Sequence, residues 1–358
     1  MLFDSYPLHS LTLANRTVMN PMTRSRAVQA ATPNALMATY YQQRASAGLI
    51  ITEGTSPSPN GVGYARIPGL YNAQQVQGWK LVTDAVHAAG GKIVVQLMHT
   101  GWVTHQANLP VGARVVSSVA GVCSGQMWTD AQGMQPHTEA QALTEAEIAQ
   151  TVAEFAQSSR LAIEAGFDGV ELHAANGYLL EQFLNPNVNT RTDGYGGGIE
   201  GRNRFVLEVA RAAAQAIGAH RVGIRLSPYG VFNGTGPFAD VDAQFKALTQ
   251  ALSDLQLMYL HVLDHSAMGV PAVPAVLKAE LRSLFKGPFI LAGGFDRDSA
   301  EQALTDGRAD LIGFGRPFLA NPDLVARMKA GAGLTAPDMD TFYTADEKGY
   351  TDYPTMAG

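Results

Sequence analysis

Eight short, almost unbroken apolar runs punctuate the chain, at residues 17–20, 49–53, 92–97, 169–173, 222–226, 258–262, 289–292 and 311–314. Runs that are apolar at successive positions, not alternate ones, suit parallel strands covered on both faces. Between them lie segments with helical spacing at residues 74–89, 145–165, 202–217, 241–255, 272–285 and 299–305. Thr144, three residues before Glu147, reads as a capping box, and Gly90 and Gly166 stand where helices should end. A strand-helix unit repeated eight times predicts an α/β fold, a (β/α)8 TIM barrel, carried as a single domain over residues 1–358 with no proline-rich linker to divide it. The competing doubly wound sheet needs G-x-G-x-x-G after its first strand, where "NPMTRS" stands instead.

Two segments leave strand ends on longer excursions, residues 100–142 and 185–201. The first holds Trp102, His105, Met127, Trp128, Met134 and His137, a mixture suited to a lid or covering hairpin after the third strand. A net charge of −6 without a basic block argues against nucleic acid. The single cysteine, Cys123, excludes an intrachain disulfide and a thiolate-rich metal site, and it reads as a passive thiol. The opening residues lack the basic and apolar regions of a secretion signal, and no uncharged run reaches the ~20 residues of a membrane helix. The expectation is a soluble cytoplasmic protein.

Chemistry on a barrel sits at the C-terminal ends of the strands. The first run is followed by Pro21, Met22 and Thr23, and the second ends at Gly54, where a ligand or backbone could approach closely. Gln96 is polar inside the third run, and unpaired it would cost ~1–3 kcal/mol, so it needs a partner. Arg225 is a cation inside the fifth run and must meet an acidic side chain or an anionic ligand. Gly293 and Gly294 after the seventh run, with Gly315 and Arg316 after the eighth, suit a phosphate cradle. His87, His99, His105, His137 and His173 show no metal-binding spacing, and there is no G-x-S-x-G elbow. A phosphorylated cofactor that is itself the reagent fits better, with no metal.

Laid out this way, the chain resembles the Old Yellow Enzyme family of FMN-dependent ene-reductases. The likeness runs nearly end to end, through "LFDSYPLHSLTLANRTVMNPMTRSRA", "QLMHTG", "AGFDGVELHAANGYLLEQFLNPNVNTRTDGYGG", "GFGRPFLANPDL" and "FYTADEKGYTDYP". The resemblance implies bound FMN, with NADPH or NADH as hydride donor. Pro21, Met22, Thr23, Gly54, Gln96, His173 and Arg225 would lie along the flavin, Arg225 where negative charge collects on reduction. Gly293, Gly294, Gly315 and Arg316 would hold its phosphate. His173 and Asn176 would hydrogen-bond the carbonyl or nitro oxygen of the substrate, and Tyr178 would protonate the α-carbon. Tyr64, Met98, Trp102 and Tyr343 would line the substrate pocket. Met98 and Trp102 depart from the family's usual aromatic and arginine, which bears on substrate fit. Gly201 replaces a usual asparagine and should loosen a turn.

The implied function is ping-pong reduction of the C=C bond of α,β-unsaturated carbonyl or nitro compounds by a monomer or homodimer. An alternative is an FMN protein that binds phenolic ligands with little turnover. A 2-hydroxy-acid oxidase fits less well, because the histidine is paired with an amide and a tyrosine donor rather than poised as a base.

Overall fold

In the computed structural model, which describes residues 1–356, the eight apolar runs close into one parallel barrel. β1 (Thr17–Met19), β2 (Leu49–Thr55), β3 (Ile93–Leu97), β4 (Gly169–Ala174), β5 (Val222–Leu226), β6 (Tyr259–Leu263), β7 (Phe289–Ala292) and β8 (Leu311–Phe314) pair in chain order, and β8 returns to β1. Every strand position is buried, because one set of side chains fills the barrel and the other meets the helices.

Around it stand α1 (Ala35–Gln43), α2 (Ala73–Ala88), α3 (Glu145–Glu164), α4 (Leu179–Leu184), α5 (Ile199–Ile217), α6 (Val241–Asp254), α7 (Ala275–Leu284), α8 (Arg297–Thr305), α9 (Arg316–Ala320) and α10 (Leu324–Ala330). The capping box forms as expected: Thr144 Oγ1 accepts from Glu147 N–H, and Thr144 N–H donates back to the Glu147 carboxylate. Gly90 and Gly166 follow α2 and α3 with φ of +80° and +91°. The periodicity missed α4, whose six residues are all buried and therefore show no polar face. It also missed α9, which is too short to show a period, and marked neither α1 nor α10. Among the described residues no helix is long and apolar enough to cross a membrane.

The N-terminal end of the barrel is closed by an antiparallel hairpin, Tyr6–Leu8 with Leu11–Leu13, which the apolar pattern did not announce. Leu8 and Leu13 are fully buried against Val18, Leu49, Val94, Ile290 and Leu311, the lower residues of the strands. Each contributes ~1.5–3 kcal/mol by leaving water. At the opposite end the 100–142 excursion carries the expected hairpin, Gln126–Thr129 against Gly133–Pro136. Gly201 corrects an expectation. It sits in α5, where an added Cβ would stand 2.1 Å from the Gly196 carbonyl oxygen, so glycine tightens this turn and does not loosen it.

Candidate functional site

Side chains two apart on a strand point the same way, so Glu171 and His173 of β4 both enter the barrel. The parallel register sets Glu171 beside Gln96, His173 beside Arg225, and Arg225 beside His261. Gln96 Nε2 donates to Glu171 Oε1 at 2.8 Å, and His261 Nδ1 lies 2.8 Å from Glu171 Oε2, both partners fully buried. Burial alone would lift the Glu171 carboxyl, but His261, Arg225 and Gln96 outweigh it and hold the pKa below the ordinary value. Burial lowers the imidazole of His261, so a neutral ring donates to a carboxylate. Arg225 has therefore found its anion in the electrostatic reach of Glu171, yet its Nε makes no hydrogen bond. Glu171 and His261 carried the same signal in sequence as Gln96 and Arg225, a polar residue inside an apolar run, and were passed over.

Above this layer a cavity of about 480 Å³ opens at the C-terminal mouth. It gathers Pro21, Met22, Thr23, Gly54, Tyr64, Gln96, Met98, His173, Asn176, Tyr178, Arg225, Gly315, Arg316 and Tyr343, all among the site candidates named above. It also takes in Asn20, Phe232, Asn233, His265, Met268, Leu319 and Phe342, most of them on loops where no periodicity marks a residue as facing inward. Three expected residues are not in its wall among the described residues. An added Cβ on Gly293 would stand 2.0 Å from the Asp264 carbonyl oxygen, and one on Gly294 2.7 Å from Ala267 Cβ. The loop after β6 thus packs against both glycines. Trp102 lies behind the wall, donating from Nε1 to the Asn233 carbonyl at 3.0 Å. At Gly54 the close neighbour is Met98, whose Sδ stands 2.5 Å from where a Cβ would be.

The crossover after β4 bends through two consecutive left-handed residues, Asn176 at φ +60° and Gly177 at φ +74°. A non-glycine residue there costs ~1 kcal/mol or more, and four contacts hold it. Asn176 N–H donates to Ser227 Oγ at 2.9 Å, Asn233 Nδ2 donates to the Asn176 carbonyl at 2.7 Å, and Gly177 N–H donates to Glu181 Oε2 at 2.6 Å. Ser227 Oγ in turn donates to the Glu181 carboxyl at 3.1 Å. Burial lifts the Glu181 pKa to about 8 against these donors.

Beyond the turn the Tyr178 hydroxyl meets the Tyr64 hydroxyl at 3.0 Å, and the ring stands edge-on to His173 at 5.0 Å. Burial pushes the Tyr178 phenol up to about 12, so it keeps its proton at neutral pH. Burial, with Arg225 nearby, drives His173 well below its ordinary pKa and leaves a neutral imidazole. Burial raises the Cys123 thiol to about 11, which keeps it protonated and poorly nucleophilic.

The mouth fits a polar, planar cofactor. Arg225 Nε, His173 Nδ1, Asn176 Oδ1 and Asn20 Oδ1 are buried there without partners, and each unsatisfied group costs ~1–3 kcal/mol unless a ligand meets it. Thr23, Gln96 and Arg225 offer donors for a flavin's pyrimidine edge, and Arg316 with the Gly315 backbone offers a phosphate contact. No group of three potential metal ligands exists among the described residues.

The barrel and this cradle define a flavin-using oxidoreductase. The model of the NADH:flavin oxidoreductase / NADH oxidase family matches residues 1–334. A chanoclavine-I aldehyde reductase from Penicillium roqueforti is 44% identical over 364 residues, covering 98% of this chain and 96% of that protein. 12-oxophytodienoate reductase 7 of Oryza sativa subsp. japonica is 40% identical over 376 residues, with 99% and 94% covered. The structure of a morphinone reductase superposes with a TM-score of 0.95 at 42% identity, with 99% of this chain and 96% of that one covered. The chain belongs to the Old Yellow Enzyme family of FMN-dependent NADH:flavin oxidoreductases.

Proposed function

We propose that the chain, working as one domain, is an NAD(P)H-dependent ene-reductase that saturates the C=C bond of α,β-unsaturated carbonyl or nitro compounds. The observation that carries this reading is the convergence of a neutral imidazole, a carboxamide and a protonated phenol on one cavity. FMN, held along Pro21, Met22, Thr23, Gly54, Gln96 and Arg225 with Arg316 at its phosphate, would supply the hydride chemistry that links the nicotinamide to the β-carbon of the alkene. NAD(P)H, a proton and the alkene thus give NAD(P)+ and the saturated product, and a single pocket serves both partners in turn.

His173 and Asn176 would donate hydrogen bonds to the substrate oxygen and stabilise the negative charge it gains as hydride arrives. Both come preorganised, His173 by its strand and Asn176 by the contacts on its N–H and carbonyl. Tyr178 would release its proton to the α-carbon, and the Tyr64 hydroxyl, in hydrogen-bond contact, would shield and replenish it. Gln96 and Thr23 would orient the pyrimidine edge, while Arg225 would face the charge that collects there, with Glu171 and His261 moderating it from below.

Rapid mixing separates the two half-reactions and tests this. NADPH should bleach the flavin spectrum, and an enone such as cyclohexenone should restore it. Full FMN loading with no enone-driven reoxidation would replace this reading with the ligand-binding flavoprotein.

A further inference from the structure

The buried anion beneath the mouth is Glu171, and its surroundings leave its charge largely uncancelled. Along the barrel register Glu171 of β4 stands level with Gln96 of β3, Gly223 of β5 and, one strand further, Tyr259 of β6. Gly223 gives its side-chain space to the Tyr259 ring, since an added Cβ would stand 2.3 Å from it. Toward the N-terminal end the barrel is filled by Val18, Leu49, Val94 and Leu311, all fully buried. The carboxylate therefore rests on an apolar floor away from solvent, where a charge is weakly screened.

His261 does not neutralise it. The ring places Nδ1 2.8 Å from Glu171 Oε2, while its Nε2 is buried and has no partner. An imidazolium would bury a second N–H there without an acceptor, so the ring is the neutral tautomer that carries its proton on Nδ1. Tyr259 adds no charge either, because burial and the neighbouring carboxylate hold its phenol well above the ordinary pKa. What opposes Glu171 is the Arg225 cation, which lines the mouth with its Nε still unpaired.

We infer that Glu171, kept ionised by the hydrogen bond from His261, is a positioning residue that sets the reduction potential of the flavin by offsetting the Arg225 cation. This deepens the reductase reading and rests on its placement of FMN against Arg225. A cation at the flavin edge favours reduction by the nicotinamide, and an anion behind that cation favours return of the hydride to the alkene. The pair keeps both half-reactions open; either charge alone would bias one against the other.

The test is a redox titration of the FMN-loaded protein against a reference dye. Glu171→Gln removes the charge and leaves an amide able to accept from His261 and to pair with Gln96, and its midpoint potential should rise. Reduced FMN should then bind tighter, relative to oxidised FMN, by about tenfold or more, because a unit charge acting across even ~12 Å at an effective dielectric of ~20 shifts an equilibrium by that factor. His261→Leu withdraws the donor, lets Glu171 take up a proton and should raise the potential in the same direction. His261→Asn, whose amide can stand in for Nδ1–H, should bring it back toward the unmodified value; a rise as large as that of His261→Leu would overturn the part given to His261. In rapid mixing, Glu171→Gln should speed bleaching by NADPH and slow reoxidation by cyclohexenone, whereas slowing of both steps would mark a merely structural role and overturn the inference. Unmoved potentials in Glu171→Gln and His261→Leu, with FMN bound and cyclohexenone reduced, would overturn it and leave the reductase reading standing. If the unmodified protein holds FMN but cyclohexenone never reoxidises it, the reductase reading fails, and the potentials still decide the role of Glu171.

Discussion

Replacing Glu181 with glutamine probes what holds the Asn176–Gly177 turn. The Glu181 side chain is 2% exposed, accepts from Gly177 N–H at 2.6 Å and from Ser227 Oγ at 3.1 Å, and burial lifts its pKa from 4.5 to about 8. A carboxyl raised in this way binds its proton more tightly folded than unfolded. Between the two pKa values the folded state carries more protons, so the stability contributed by the protonated carboxyl is lost as pH rises through that window. The slope is ~1.4 kcal/mol per pH unit, and the loss is on the order of 3 kcal/mol by neutral pH. Glutamine keeps an oxygen for Gly177 N–H and has no proton to lose. Urea unfolding at fixed free FMN, from about pH 5 to about pH 8 with m-values compared, reads the difference directly. The variant should gain on the unmodified protein by roughly 1 kcal/mol or more per pH unit across that range. Parallel stability curves would show that Glu181 is ionised throughout, and with that the account of the turn as held by a protonated carboxyl would fall.

Tyr178→Phe should slow alkene reduction far more than flavin reduction in rapid-mixing experiments; equal losses in both would count against a proton-donor role. Because the Tyr178 pKa is about 12, its proton stays available as pH rises through neutrality and is lost only toward that value. Arg225→Ala removes the buried cation that faces Glu171 and is proposed to face the flavin edge, and FMN should bind roughly tenfold to a hundredfold more weakly by equilibrium dialysis, on the ~1.5–3 kcal/mol scale of charged hydrogen bonds. Unchanged FMN affinity and reduction potential would refute that role. Trp102→Phe deletes the donor to the Asn233 carbonyl and should weaken phenol binding by about two- to tenfold, from ~0.5–1.5 kcal/mol, without touching FMN content. An unaltered phenol titration would detach Trp102 from Asn176.

The barrel was legible because strands buried on both faces write themselves as unbroken apolar runs, and all eight runs became strands. The N-terminal hairpin was not, since its strands are three residues each and carry no period long enough to read. At the site, Gln96 and Arg225 stood out as polar positions in apolar runs, whereas Glu171 and His261 went unremarked although their local pattern is the same. Gly293 and Gly294 show the limit of reading glycine without a structure: the Asp264 carbonyl and the Ala267 side chain also leave no room for a Cβ there, a packing demand the sequence does not announce. Trp102, expected in the pocket wall, stands behind it on Asn233, because one residue's offset along a loop cannot be told from sequence. Glu181 offered a sign only in being a charge within "LLEQFL", a segment buried to its last residue.

The hydrogen bonds from Trp102 to Asn233 and from Asn233 to Asn176 tie the first turn of the covering excursion to the amide at the reaction mouth. The cover is therefore also a strut. If Asn176 holds the substrate oxygen as proposed, exchanging that excursion for one of another length or sequence would retune turnover together with preference, because it steadies that residue through Asn233. On that reading, selectivity and speed would be inherited as one trait.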